Sequence, residues 1–170
     1  MTKRTFLWLA ALTGVPSSTP AAQGAPARPL DPNCERLLPA AVVAKLSGDA
    51  DLKLIAPGAV PAAGGTCNYA VGGQTVILYV ELNTTADART FQRYKTSRSY
   101  QEGQQGITGL GDEAFSATPS DQPVVIARKG KTLVALLGML DLDPKSPRFA
   151  KAHLTGEQLV ELARQMLGSS

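Results

Sequence analysis

The chain holds one histidine, His153, and two cysteines, Cys34 and Cys67, in 170 residues. That shortage removes several chemistries. A structural zinc site needs about four nitrogen or sulfur ligands, and three side chains fall short. Neither Gly-x-Ser-x-Gly nor His-Glu-x-x-His occurs, so two common signatures of hydrolases and metalloproteases are missing. No apolar run approaches the roughly 18–20 residues that span a bilayer as a helix. Aromatic residues make up only 5% of the chain. The hydrophobic share, 44%, is ordinary for a globular protein, which excludes collagen-like and wholly disordered readings.

The N-terminus reads as an export signal. Lys3 and Arg4 precede a short apolar stretch, Phe6 to Val15, and small residues and prolines follow through Ala22. This is the order of a secretory signal peptide, and its length is too short for a membrane anchor. Residues 1–24 are assigned to the signal, 25–33 to a flexible proline-rich leader, and 34–170 to a single domain. Removing the two basic residues of the signal from 17 leaves 15 against 14 acidic residues, a net charge of +1. A near-neutral domain gives no electrostatic case for nucleic acid. No transmembrane segment is expected in the mature chain, and no cofactor or metal. The location implied is exported, periplasmic or extracellular. In such an oxidising compartment an even pair of cysteines reads as one disulfide, Cys34 to Cys67.

Periodicity gives the fold class. Leu38 to Leu46 reads as a helix closed by Ser47-Gly48, and Asp51 to Ala56 as a strand. Two β-rich runs flank Gly72-Gly73, and two more flank Lys129-Gly130, as in tight hairpins. A central helix is expected from about Ala86 to Arg98, capped by Thr84 or Thr85. Glu113 to Ala117 is a short strand. A last helix starts at Thr155, whose spacing to Gln158 is that of a capping box. The order implies an α+β fold of two layers: a mostly antiparallel sheet of about five or six strands, with two or three helices on one face. Hairpin followed by helix occurs twice, a hint of an internal repeat.

Several motifs call for a chemical reading. Gly106, Gly109 and Gly111 could cradle a phosphate, but they precede Asp112-Glu113 and a strand, where phosphate sites place glycines before a helix. A tight turn is the better reading. Asp112 and Glu113 are strand neighbours and point to opposite faces, which does not converge two groups on one substrate. Asp141 and Asp143 lack the further oxygen ligands calcium needs, and read as a solvated turn. His153 reads as a helix-entry residue.

The most suggestive cluster is basic and aromatic. Arg89, Arg93, Lys95 and Arg98 sit in or beside the central helix with Tyr94 and Tyr100, and Arg89 and Arg93 share a face at i, i+4. Arg128, Lys129 and Lys131 gather at the second hairpin tip. These residues suit an anionic ligand such as an acidic glycan, a phosphate or a lipid headgroup. The sequence thus points to an exported envelope domain that binds a ligand or a protein partner without catalysis. Two other readings stay open: a small envelope hydrolase or transferase using Asp112 or Glu113 with His153, and a protein inhibitor or chaperone-like partner acting through an exposed sheet face.

The segment Ile107-Thr108-Gly109-Leu110-Gly111-Asp112-Glu113-Ala114-Phe115 resembles a phrase of small exported bacterial domains. So does its setting: Cys34-x-x-Leu37-Leu38, Cys67 shortly before Tyr69, a central helix, and Leu159-x-x-Leu162-Ala163 near the end. Over about residues 31–168 the chain is similar to actinobacterial lipoprotein domains of unknown function and, more loosely, to extracellular sensor domains of mycobacterial serine/threonine kinases. It departs from the lipoprotein pattern in having no lipobox cysteine. The resemblance implies an envelope or secreted domain that binds something, with no catalytic residues to carry over.

Overall fold

The computed structural model describes residues 32–55 and 64–168. The expected export signal, most of the leader and most of the loop after the first strand lie outside the described residues. Helix α2 (Ala40–Ser47) stands where a helix was expected from Leu38 to Leu46, and a separate helix α1 (Pro32–Leu37), not expected, precedes it. Pro39 explains the break. A residue before proline is driven out of the helical region, so the chain turns at Leu38 and restarts with Pro39 at the cap of α2. The remaining elements are β1 (Leu52–Ile55), β2 (Gly64–Val71), β3 (Thr75–Asn83), α3 (Ala88–Thr96), β4 (Gln105–Gly106), β5 (Glu113–Ala117), β6 (Val124–Lys129), β7 (Thr132–Gly138) and α4 (Gly156–Gly168).

The strands form one sheet in the order β1-β2-β3-β7-β6-β5-β4, with every neighbouring pair antiparallel. The class is α+β, as expected, with seven strands among the described residues in place of five or six. The additional β4 is two residues long and pairs Gln105 with Ser116 and Gly106 with Phe115. The β2–β3 hairpin turns through Gly72 and Gly73, both with left-handed φ (61° and 72°) that glycine adopts without a Cβ clash.

The helices occupy both faces of the sheet, which corrects the two-layer expectation. Leu38, Val43, Leu159, Leu162, Ala163 and Met166 from the α1–α2 junction, α2 and α4 pack on one face, against Tyr69, Val80, Val125 and Val134. Ala86 and Phe91 at α3 pack on the other, against Phe115, Ile126 and Ala135. Val124 to Ala127 of β6 and Leu133 to Leu136 of β7 are buried without interruption, the pattern of strands covered on two sides. α3 and α4 both lie over the β5–β7 half. Among the described residues the second face of β2 and β3 therefore carries no helix of its own, and its side chains are polar: Thr66, Asn68, Tyr79, Glu81 and Asn83.

Cys34 and Cys67 stand at disulfide distance, with Cα atoms 6.0 Å apart, and link α1 to β2. Beside them the buried Tyr69 hydroxyl donates to Leu38 O at 2.6 Å, the carbonyl freed at the helix break. Burial pushes that phenol's pKa well up. α4 opens with a reciprocal capping box: Gln158 N–H donates to Thr155 Oγ1 and Thr155 N–H to Gln158 Oε1. Its far end receives Lys129 Nζ on Leu167 O at 2.9 Å, a cation at a helix C-terminus.

The glycine-rich phrase at 107–115 is a clasp. Leu110 is buried, and the chain enters β5 with Asp112 N–H donating to Arg128 O at 2.7 Å. Asp112 and Glu113 then grip the Arg128 side chain at 3.3 and 2.9 Å. Gly111 has φ 65°, and a Cβ there would collide with the Arg128 carbonyl. Gly111→Ala is expected to destabilise the fold by more than about 1 kcal/mol, and Gly106→Ala, at an open position, by much less. Urea midpoints of the two variants measure the difference.

Candidate functional site

The second face of β3 and the flank of α3 enclose a cleft of about 380 Å³, lined by Asn83, Thr90, Arg93, Tyr94, Ser97 and Tyr100. This lies at the small end of the range for small-molecule sites. α3 begins at Asp87, whose side chain accepts from Thr90 N–H and Oγ1 at 2.8 Å each. Those hydrogen bonds hold the Asp87 carboxyl below its ordinary pKa. The cap is thus Asp87 and not the expected Thr84 or Thr85, because Asn83 Oδ1 already accepts Thr85 N–H and Oγ1. The cap fixes the rotation of α3: Phe91 points into the core, Tyr94 lies over β3, and Arg93 is exposed at the mouth.

Tyr94 and Tyr100 stack with ring centroids 6.2 Å apart, and Tyr100 leans on Phe115 at 6.4 Å. The turn carrying Tyr100 is tied to the end of α3 by Gln101 and Gln104, whose Nε2 groups both donate to Lys95 O. The Tyr94 hydroxyl donates to Glu81 Oε1 at 2.7 Å. A second cavity of about 300 Å³ adjoins, lined by Thr66, Tyr79, Glu81 and Asn83 among others, so that Asn83 borders both. Arg93 donates to Thr90 Oγ1 at 3.4 Å. Among the described residues no carboxylate pairs with it.

Of the residues singled out in the sequence, Arg93 and Tyr94 line this cleft. Arg89, Lys95 and Arg98 are exposed and stand outside its lining. Two members of the second basic cluster are spent on structure, Arg128 on Asp112 and Glu113 and Lys129 on the end of α4, while Lys131 is exposed. Tyr100, named beside Tyr94, lines the cleft as well; Tyr79, Glu81 and Asn83 were not singled out. The alternation Tyr79-x-Glu81-x-Asn83 places these three on one strand face, and that was the signal available.

His153 belongs to a different cluster. Its Nδ1 is 2.9 Å from Asp49 Oδ2, its Nε2 3.4 Å from Asp141 Oδ2, and Arg148 completes the group at 3.5 Å from Asp49. The ring is enclosed, with both nitrogens facing carboxylates and only 8% of the side chain exposed. Nothing is left for a substrate to meet. Asp141 is buried, where a solvated turn was expected. The Ser146 hydroxyl, the Asp143 N–H and His153 hold its carboxyl below the usual range. The cluster clamps the loop between β7 and α4 onto the turn before β1. Asp112 and Glu113 lie at the other end of β7, across a strand of seven residues, so the structure does not bring them to His153.

Among the described residues no group of His, Cys, Asp and Glu has the geometry to hold a metal ion, and no helix is long and apolar enough to cross a membrane. The exposed large apolar side chains, Leu142 and Phe149, lie on the clamped loop and not on the sheet. In comparison with known proteins, the chain matches no family model, no curated protein and no solved structure.

Proposed function

We propose that the chain is an exported binding domain, periplasmic or extracellular, which holds a small ligand in the cleft between α3 and β3 and does not turn it over. The cysteine pair at disulfide distance fits an oxidising compartment, and the likeness of residues 107–115 to exported bacterial domains points the same way. The observation that carries the reading is Arg93: a guanidinium with no carboxylate partner among the described residues, at the mouth of a cleft walled by stacked tyrosines. Guanidinium groups bind carboxylate and phosphate oxygens in a fork, and tyrosine offers a flat amphipathic surface for a ring. The ligand class is a ring, such as a sugar, bearing an anionic group.

Calorimetric titration with glucuronate and with inorganic phosphate tests this. Glucuronate is expected to bind more tightly than phosphate, because only it presents a ring. Arg93→Ala is expected to lose about tenfold in glucuronate affinity, the worth of one charge-assisted contact at an exposed position. Arg89→Ala and Arg98→Ala, outside the lining, are expected to leave it within about twofold. Equal losses in all three variants would mean diffuse attraction to a basic surface, and would sink the site.

A further inference from the structure

Glu81 is not used by an anionic group on Arg93, and its surroundings are unusual for a carboxylate. It is partly buried on β3. One oxygen accepts the Tyr94 hydroxyl. Among the described residues no Lys, Arg or His lies within ion-pair distance, although α3 and the following turn carry four basic side chains. A carboxylate withdrawn from water without a cation is costly, and folded chains usually pair it.

Its neighbours on this face are phenols instead. Tyr79 lies two residues away on the same side of β3, and Tyr94 reaches Glu81 from α3 with Tyr100 stacked on it. The phenol pKa values of Tyr79 and Tyr100 are raised, by burial first and then by the negative charge of Glu81. That of Tyr94 is raised further, by burial and then by its hydrogen bond to Glu81. The cavity of about 300 Å³ opens directly onto Glu81 and Tyr79. Its floor is backbone at Gly64, where any Cβ would strike Leu82 O.

A carboxylate among tyrosines, with no cation of its own and a cavity in front of it, matches the requirements of an organic cation: a counter-charge and electron-rich rings. We propose that Glu81, with Tyr79 and Tyr94, forms a subsite for an ammonium group. The two cavities share Asn83, so the ligand of the cleft is dipolar, its anionic end on Arg93 and its cationic end on Glu81. This deepens the reading of the cleft as a binding site and rests on it.

The test uses choline and dimethylbutanol, its neutral isostere, which differ in charge and not in shape. Choline is expected to shift the amide signals of Thr66, Tyr79 and Asn83 saturably, and the isostere at equal concentration to leave them in place. Glu81→Gln keeps an acceptor for Tyr94 and removes the charge. It is expected to lose about tenfold or more in choline affinity while the remaining amide spectrum stays that of the parent. No shift with choline, equal shifts with the isostere, or undiminished binding to Glu81→Gln would each overturn the proposal. The choline–isostere comparison needs no variant, so it holds even if the substitution unfolds the chain. Glucuronate titrated into the same samples separates the two readings. Choline without glucuronate binding keeps the ammonium subsite and removes the anionic one; glucuronate without choline does the reverse.

Discussion

Phe115→Ala is expected to cost about 3–5 kcal/mol, the usual range for truncating a buried phenylalanine. Phe115 is 1% exposed. It meets the edge of Phe91 at 5.7 Å and supports Tyr100 at 6.4 Å. Its loss removes the main wall of the smaller core cluster and the support beneath one side of the cleft. Two observables should therefore move together. The urea midpoint falls, and ligand affinity measured well below that midpoint also falls, because Tyr100 and α3 lose their seat. Leu162→Ala provides the contrast. It lies in the other cluster and is expected to cost about 2–5 kcal/mol with cleft affinity unchanged in the folded fraction. If Phe115→Ala cost less than about 1 kcal/mol, far below the range for a packed aromatic, α3 would not be packed on the sheet as described.

The second large effect concerns the cysteines. Removing the Cys34–Cys67 link by reduction is expected to destabilise the chain by about 3–4 kcal/mol, the entropy model's value for a loop of this size. The sequence separation is 33 residues. Both sulfurs are buried, so the reductant acts slowly on the folded chain, and unfolding is best compared after equilibration in denaturant. The double variant Cys34→Ala, Cys67→Ala should match the reduced protein in midpoint. The Tyr69–Leu38 hydrogen bond lies beside the link and should hold α1 against β2 less well once it is gone, which amide exchange at Leu38 would register. Identical midpoints with and without reductant would show that the bond contributes nothing or does not form.

The parts of the fold legible in the sequence were those set by local chemistry. The hairpins around Gly72-Gly73 and Lys129-Gly130 follow from turn residues, and the start of α4 follows from Thr155 and Gln158. The α3 cap was misplaced because Asn83, Thr84, Thr85 and Asp87 are all capping residues. Only tertiary geometry decided that Asn83 would engage Thr85 and leave the cap to Asp87. The second helical layer had a signal that was not used. The runs Val124–Ala127 and Leu133–Leu136 do not alternate, as strands open on one side would. The cleft was half legible. Arg93 and Tyr94 share a helix, but Glu81 lies 13 residues from Tyr94, and nothing local announces their meeting. Asp112 and Glu113 drew attention as acids; their partner Arg128 is brought to them by strand register.

The uninterrupted burial of β6 and β7 has a consequence for how the chain comes apart. Their backbone amides are shielded from solvent above by α4 and below by α3, and each strand also has a neighbour on both sides. Opening them requires both clusters to separate at once. The hairpin amides should therefore exchange with deuterium only through global unfolding, at a rate set by total stability. β1 and β4, each with one neighbour, should exchange by local fraying. A ligand that tightens the cleft would then slow exchange throughout the hairpin, though it touches no residue of either strand.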